Sequence, residues 1–293
     1  MDRIKAMKIL LRVADSGSFS AASRSLGIPL ATVSRQVTEL EAHLGTRLLT
    51  RSTRKLALTD AGVAYLGAAR RILEDIEEAE RKAAGEYQTP RGELIVTAPV
   101  CFGRLHTLPL IRDFLAAYPE INVRLTLSDS NLHLLDERID MAVRIGPLPD
   151  SSLVATRVGE VRTVVVASPD LLAAHGTPRT PHELAMLPSV DFDVLTRSAN
   201  WPFVSEDGKP TEIAMMPRLT VSAADAAVWA AEQGVGVTRV LSYQCAEAVR
   251  RHTLRILLKA FETEPLPVHL VHAGQGELPT KMRVFLDFAK ARL

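Results

Sequence analysis

At 293 residues the chain is long enough for two domains or three. An apolar share of 47% beside 24% charged residues is that of an ordinary folded protein and excludes disorder as its main character; two cysteines, Cys101 and Cys245, exclude a disulfide scaffold and a four-cysteine zinc site. The net charge of +1 divides unevenly: residues 1–58 carry ten Lys and Arg against four Asp and Glu, so a +6 end precedes a −5 remainder, the pattern of a DNA-binding module joined to something else.

The first eight residues, Met1-Asp2-Arg3-Ile4-Lys5-Ala6-Met7-Lys8, are too charged for a secretory leader, and no apolar run approaches the ~18 residues that span a bilayer. A cytoplasmic, membrane-free protein is the expectation. Ile4, Met7, Leu11 and Ala14 share one face of a first helix, which Ser16-Gly17 ends. Ser18 is a good N-cap for a second helix over Phe19–Leu26, and Gly27 stands where a left-handed residue closes it. Ile28-Pro29 starts a third, with proline in its first turn. Two short helices around a glycine-containing turn predict a helix-turn-helix.

In the third helix Val33, Val37, Leu40 and Leu44 make a narrow apolar stripe. Ala31, Thr32, Arg35 and Thr38 lie opposite, with Ser34 and Gln36 at the flanks. A helix entering the major groove needs that combination, small residues for close approach and forked donors for base edges. Past Gly45, two very short strands around Ser52-Thr53 predict a basic wing whose Arg51, Arg54 and Lys55 reach the DNA backbone.

These residues carry a resemblance. Phe19-Ser20-Ala21-Ala22, Leu26-Gly27, Val33-Ser34-Arg35-Gln36-Val37, Leu40-Glu41, Leu44-Gly45, Leu48-Leu49, Arg51, Leu58-Thr59 and Ala61-Gly62 resemble the winged helix-turn-helix of LysR-type transcriptional regulators, densely over the first ~65 residues and in layout over the whole chain. The match departs at Pro29-Leu30-Ala31-Thr32, where many members have Ser-Gln-Pro-Ala, and at Leu49, where Phe is common. The resemblance implies an operator in double-stranded DNA as partner, adds RNA polymerase as a further candidate, and calls for no cofactor.

Thr59 can cap a long helix from Asp60, along which Tyr65, Ala69, Ile72, Ile76, Ala79 and Ala83 follow at heptad spacing. That seam predicts self-association, with Tyr65, Ile72 and Ile76 as the dimer contact; the family adds a dimer of dimers through its C-terminal domains. Thr89-Pro90-Arg91-Gly92 stops the helix. Strands at Glu93–Ala98, Val123–Leu127 and Met141–Ile145 alternate with helices at Leu105–Ala117 and near Asn131–Glu137, which reads as a parallel sheet. A second set starts at Val161–Ala167, with helices near Asp170–His175 and Ala224–Glu232 and a strand at Gly236–Val240. Leu266–His272 and a helix from Pro279 to Arg292 close the chain.

The fold expected is α/β: a winged helix-turn-helix over 1–59, a linker helix over 60–89, and over 90–293 a domain that resembles two-lobed periplasmic binding proteins. Its lobes are set at about 90–161 with 265–293, and about 162–264. Effector residues are placed on the loops after the strands: Val100, Cys101, Phe102 and Gly103, Ser128 and Asp129, Arg144, and Ser222. The helix after Ala98 aims N–H groups there, so the effector is expected to be a small organic anion. Ala223-Ala224 replace an Asn-Asp pair common in the family.

Catalysis finds no support. The eight histidines are scattered, no HExxH, Walker loop or GxSxG occurs, and Gly234-Val235-Gly236 lacks the third glycine of a dinucleotide loop, so it reads as a helix-to-strand turn. Two variants of the regulator remain open: constitutive DNA binding without a ligand, and a thiol sensor at Cys101.

Overall fold

The computed structural model describes residues 1–51, 56–83, 89–134, 137, 139–149, 152–192, 200–274 and 278–293. It divides into two compact units, Met1–Gln88 and Thr89–Leu293.

The first unit holds α1 (Arg3–Ser16), α2 (Phe19–Leu26), α3 (Leu30–Leu44), β1 (Leu49–Arg51), β2 (Leu56–Leu58) and α4 (Asp60–Ala83). Each boundary has a local cause. Asp2 caps α1 by accepting the Lys5 N–H, and Ser18 caps α2 by accepting that of Ala21. Gly27 closes α2 at φ 67°, a left-handed conformation that costs glycine nothing. Pro29 is the extended cap before α3 rather than a member of its first turn. Thr59 accepts the Gly62 N–H at the start of α4, as its position predicts.

Val33, Val37 and Leu40 are fully buried against Leu10, Val13, Ala22, Leu48 and Leu49, each worth about 1.5–3 kcal/mol of transfer free energy. The buried face of α1 is not the expected one. Ala6, Ile9, Leu10 and Val13 point inward, whereas Ile4 is 44% exposed and Met7, Leu11 and Ala14 are half-buried. The helix is apolar on two neighbouring stripes, and periodicity alone does not choose between them.

The second unit contains two five-stranded sheets, one per lobe. The first lobe begins with β3 (Gly92–Ala98). An unbroken helical run follows: α5 (Val100–Phe102), a π-turn over Gly103–Thr107, and α6 (Leu108–Ala117). Then come β4 (Ile121–Leu127), β5 (Met141–Ile145) and β6 (Leu153–Val161). The second lobe takes β7 (Thr163–Ala167), α7 (Pro169–His175), β8 (Ser189–Phe192), the hairpin β9 (Asn200–Val204) and β10 (Pro210–Ala214), β11 (Pro217–Val221), α8 (Ala224–Glu232), β12 (Val237–Leu241), α9 (Ala246–Arg250) and β13 (Arg255–Leu257). The chain returns to the first lobe with β14 (Leu266–Ala273) and α10 (Thr280–Lys290).

The three strands read as parallel, β3, β4 and β5, are so, and each sheet as a whole is mixed. In the first, β3 lies parallel to β4 and β5, but β14 runs antiparallel to β5 and β6. In the second, β8 is parallel to β11 and β12, and β7 is antiparallel to β12 and β13. No helix forms over the described residues near 131–137. Among those residues the Glu137 N–H binds the His133 carbonyl, and the Ile139 N–H binds that of Leu134; residues 135, 136 and 138 of the expected helix lie outside the described residues. Gly234–Gly236 is the helix-to-strand turn expected of it, joining α8 to β12, and a Cβ on Gly236 would stand 2.6 Å from the Pro188 carbonyl oxygen.

Two crossing segments are tied together at the lobe junction. Arg162 pairs with Glu262 at 2.8 Å, and Glu262 is only 12% exposed. The Ser242 N–H adds a 2.8 Å bond to the Arg162 carbonyl.

Candidate DNA interface and effector cleft

The outer face of α3 carries the readout chemistry. With Val33, Val37 and Leu40 buried beneath it, Ala31, Arg35 and Thr38 are exposed and Thr32, Ser34 and Gln36 half-buried. Arg35 lies 3.7 Å from Glu39 one turn on, an exposed pair worth at most about 1 kcal/mol, so DNA can take the guanidinium from it. Two of the expected readers are partly committed. Gln36 donates its amide to Glu39 at 3.4 Å and turns its carbonyl oxygen into the protein, and Thr38 donates to the Ser34 carbonyl at 2.9 Å. The Ser18 oxygen caps α2, which leaves its hydroxyl proton for a phosphate.

The wing has a defined base. β1 and β2 pair antiparallel with Leu49 opposite Leu58 and Arg51 opposite Leu56. Arg54 and Lys55 lie outside the described residues, and Arg51 is described by its backbone alone. Glu41 escaped the sequence reasoning as more than a motif letter. Its Oε1 accepts the N–H groups of both Leu48 (2.8 Å) and Leu49 (3.0 Å), which fixes the wing to the recognition helix. Thr59 adds a second tie by donating to the Arg47 carbonyl at 2.7 Å.

Along α4 the heptad seam does not stay on one side. Half-buried Tyr65 packs on the core of its own unit and Ala69 is buried. Arg70 binds Asp15 of α1. Ile72 is 43% exposed and Ile76 half-buried.

In the second unit, the carboxyl ends of β3 and β4 bring Val100, Cys101, Ser128 and Asp129 together. The Ser128 N–H binds the Ala98 carbonyl, and Asp129 accepts the Val100 N–H at 3.0 Å. The chain's own carboxylate therefore holds the leading N–H of this helix. Phe102 and Gly103 are buried at this end of the strands. Phe102 belongs to the core of the first lobe, and Leu127 fills the space where a Gly103 side chain would stand. Arg144 donates to the Leu132 carbonyl at 2.7 Å, and burial draws its pKa below the usual arginine range.

Burial raises the Cys101 thiol pKa; Arg104 beside it pulls the other way, and the Asp225 and Asp129 carboxylates push it up again. Asp225 belongs to the first turn of α8 in the opposite lobe, next to exposed Ser222. Burial also raises Tyr243, which senses Cys101 and Asp129. Asp225 and Tyr243 lie more than 120 residues beyond Cys101 in the chain, and no spacing signal links them to it.

Residues 4–63 match the family described as bacterial regulatory helix-turn-helix protein, lysR family, and residues 87–293 match the LysR substrate binding domain. The chain belongs to the LysR family of transcriptional regulators. It is a DNA-binding regulator with a C-terminal substrate-binding domain, and the family is one of regulators rather than enzymes. A transcriptional regulator of Xanthomonas campestris is 36% identical over 97% of this chain and 84% of its own length. A transcriptional repressor of Pseudomonas aeruginosa is 34% identical over 98% and 91%. The solved structure of the LysR-type regulator CrgA from Neisseria meningitidis has 30% identity and a TM-score of 0.63, covering 98% of this chain and 97% of that one. No described helix is long and apolar enough to cross a membrane.

Proposed function

We propose that this LysR regulator reads its operator with the outer face of α3, from Ala31 and Thr32 through Ser34, Arg35 and Gln36 to Thr38, and that Ser18, Arg51, Arg54 and Lys55 hold phosphates around it. The observation that carries this is the division of α3, with its apolar stripe wholly buried and Arg35 exposed and only weakly paired. Arg35 is the direct reader, because a guanidinium grips guanine at two atoms. The working parts follow the expected boundaries: 1–59 binds DNA, 60–89 pairs subunits through Ile72 and Ile76, and 90–293 responds to an effector, with a dimer of dimers as the assembly and the cytoplasm as its place.

The effector sits between the lobes, against Val100, Cys101, Ser128 and Asp129 on one side and Ser222 on the other. The Asp129 and Asp225 carboxylates favour a ligand that offers hydrogen-bond donors at this front cleft.

The DNA reading is tested with a duplex selected from a random pool by the full-length protein. Arg35→Ala is expected to cost about 1–3 kcal/mol on the selected duplex and little on random DNA. Neutralising wing cations should instead weaken both and flatten the salt dependence. An equal loss on both duplexes for Arg35→Ala would remove it as the base reader.

A further inference from the structure

Past Thr38, the outer face of α3 becomes one side of an open groove of about 510 Å³. Ala42 and Gly45 continue that side, and Thr46, Arg47 and Leu49, on the segment that leads into the wing, form the other. The frame of the groove is fixed. Glu41 Oε1 accepts the N–H groups of Leu48 and Leu49, and Thr59 donates to the Arg47 carbonyl, so the wing side cannot drift from the helix. Gly45 turns the chain at φ 66°, and a Cβ built on it meets nothing within 4 Å. The space between helix and wing is therefore open and held open.

Arg47 supplies the charge. It is exposed, and among the described residues no carboxylate pairs with its guanidinium, so all five of its N–H donors are available. Exposed Thr46 adds a hydroxyl beside it. Two features that repel an anion are offset. Glu41 is the acidic residue of the lining, and its Oε1 already accepts two N–H groups. The last carbonyls of α3 carry the negative end of the helix dipole, but the Gly45 and Thr46 N–H groups cover those of Ala42 and Glu41 at 3.3 and 3.2 Å.

We propose that this groove seats one sugar-phosphate strand of the operator, with a phosphate held by Arg47 and the Thr46 hydroxyl. A helix in a major groove is bordered on each side by a backbone strand, the two about 12 Å apart. The strand on the wing side has to pass between α3 and β1, which is where the groove lies. The guanidinium fork matches two phosphate oxygens, and Ala42 and Gly45 leave the strand room to approach. Such a contact carries no sequence information. It sets how deep and in which register α3 lies, and so which base Arg35 reaches. The proposal rests on the reading of α3 as the helix in the major groove, and it adds Arg47, Thr46 and Ala42 to that interface.

Fluorescence anisotropy of the full-length protein, with the selected duplex and a random one over a series of salt concentrations, reads the contact. Arg47→Ala is expected to weaken both duplexes by about tenfold at a fixed salt concentration. It should also lower the slope of log affinity against log salt by about 0.9, the share of one phosphate. Arg47→Lys should restore the slope. A single uncharged methylphosphonate, moved along the selected duplex, should mark the phosphate: at one position it weakens the unmodified protein and leaves Arg47→Ala indifferent. Ala42 is exposed, so Ala42→Trp fills the groove without entering the core; it should lose both duplexes while keeping its helical circular dichroism. An unchanged salt slope in Arg47→Ala overturns the proposal, as does undiminished binding by a folded Ala42→Trp protein. A loss confined to the selected duplex would make Arg47 a base reader and overturn it as well. If Ala42→Trp unfolds, the Arg47 slope decides alone. None of these outcomes touches the α3 reading, which Arg35→Ala tests separately on the same two duplexes.

Discussion

Gly62 tests how closely α4 is seated on the wing. A Cβ built there stands 2.0 Å from the Leu48 carbonyl oxygen and 2.9 Å from its carbon. Carbon and carbonyl oxygen ordinarily approach no closer than about 3.3 Å, so the shortfall is about 1.3 Å. Both parties are backbone, so no side-chain rotation relieves it. Leu48 is held in place as well, since the Thr59 N–H binds its carbonyl at 3.0 Å and Glu41 accepts its own N–H. Gly62→Ala must therefore displace the start of α4, and a shortfall this large against backbone puts the overpacking cost at the upper end of its usual range, about 2–3 kcal/mol. The better helix propensity of alanine returns up to about 1 kcal/mol. The net loss of about 1–2 kcal/mol corresponds to about 5–15 °C in the melting of a unit of this size. Calorimetry of the full chain measures it, with hydrogen exchange of α3 and α4 amides assigning the loss to the first unit. Val63→Ala, next along the chain and 58% exposed, serves as a control and should stay within about 0.5 kcal/mol. A Gly62→Ala protein as stable as the unmodified one would refute the close seating.

Three further outcomes follow from the same geometry. Glu41→Ala strands the N–H groups of buried Leu48 and Leu49, so urea unfolding should show a loss of about 1–3 kcal/mol, and anisotropy should show weaker binding to selected and random duplexes alike; a loss confined to the selected duplex would make Glu41 a base reader instead. Ile72→Glu combined with Ile76→Glu should reduce the assembly by one level in sedimentation velocity and weaken operator binding, and an unchanged sedimentation coefficient would remove these residues from the dimer contact. Burial raises the pKa of Cys101 and takes that of Cys245 to about 11, so both stay neutral thiols at pH 7.5 and form thiolate only as the pH climbs toward the raised values; iodoacetamide, followed by mass spectrometry, should modify them at least about tenfold more slowly than glutathione, and faster modification of Cys101 would revive the thiol sensor.

The first unit was legible because its signals are local. Ser18, Gly27 and Gly45 each act within a few residues, and the α3 stripe repeats at helical spacing, so elements and functional face could be read together. Local periodicity failed where two stripes were equally apolar, as in α1. It also missed β6, whose burial does not alternate cleanly, and β8, β11 and β13, which are only three to five residues long. The parallel expectation held for β3, β4 and β5; what it missed is the antiparallel β14, because direction there is set by where the chain re-enters the sheet, more than a hundred residues after β5. The effector residues were half legible for the same reason. Val100, Cys101, Ser128 and Asp129 follow strands and could be placed by the rule for open sheets, but Asp225 and Tyr243 reach them only through the crossing of the lobes. The Asp129 bond to Val100 shows the limit of arguing from a helix N-terminus alone: such an end attracts a negative charge, and the protein itself supplied one.

The packing of α4 constrains how a regulator of this build can transmit a signal. Its first three turns are fixed to the DNA-binding unit by the Gly62 contact, by Tyr65 and Leu66 in the core, by buried Ala69, and by the Arg70 pair with Asp15. Ile72 stands ten residues past Gly62, about 15 Å along the axis, so the proposed dimer contact is carried on a helix seated on α1 and the wing of the DNA-binding unit. Reshaping α3 on effector binding would mean opening a core in which Val33, Val37 and Leu40 are fully buried, at several kcal/mol, more than the 1–3 kcal/mol that couples most allosteric sites. Moving two intact DNA-binding units relative to each other breaks none of those contacts. In the proposed assembly an effector bound in the second unit then leaves the chemistry of Arg35 unchanged and alters the separation of the two recognition helices, which duplex DNA reads as half-site spacing in steps of about 34 Å per turn. Base preference and effector response are on this account set by different residues, and a substitution on α3 should shift the first without altering the second.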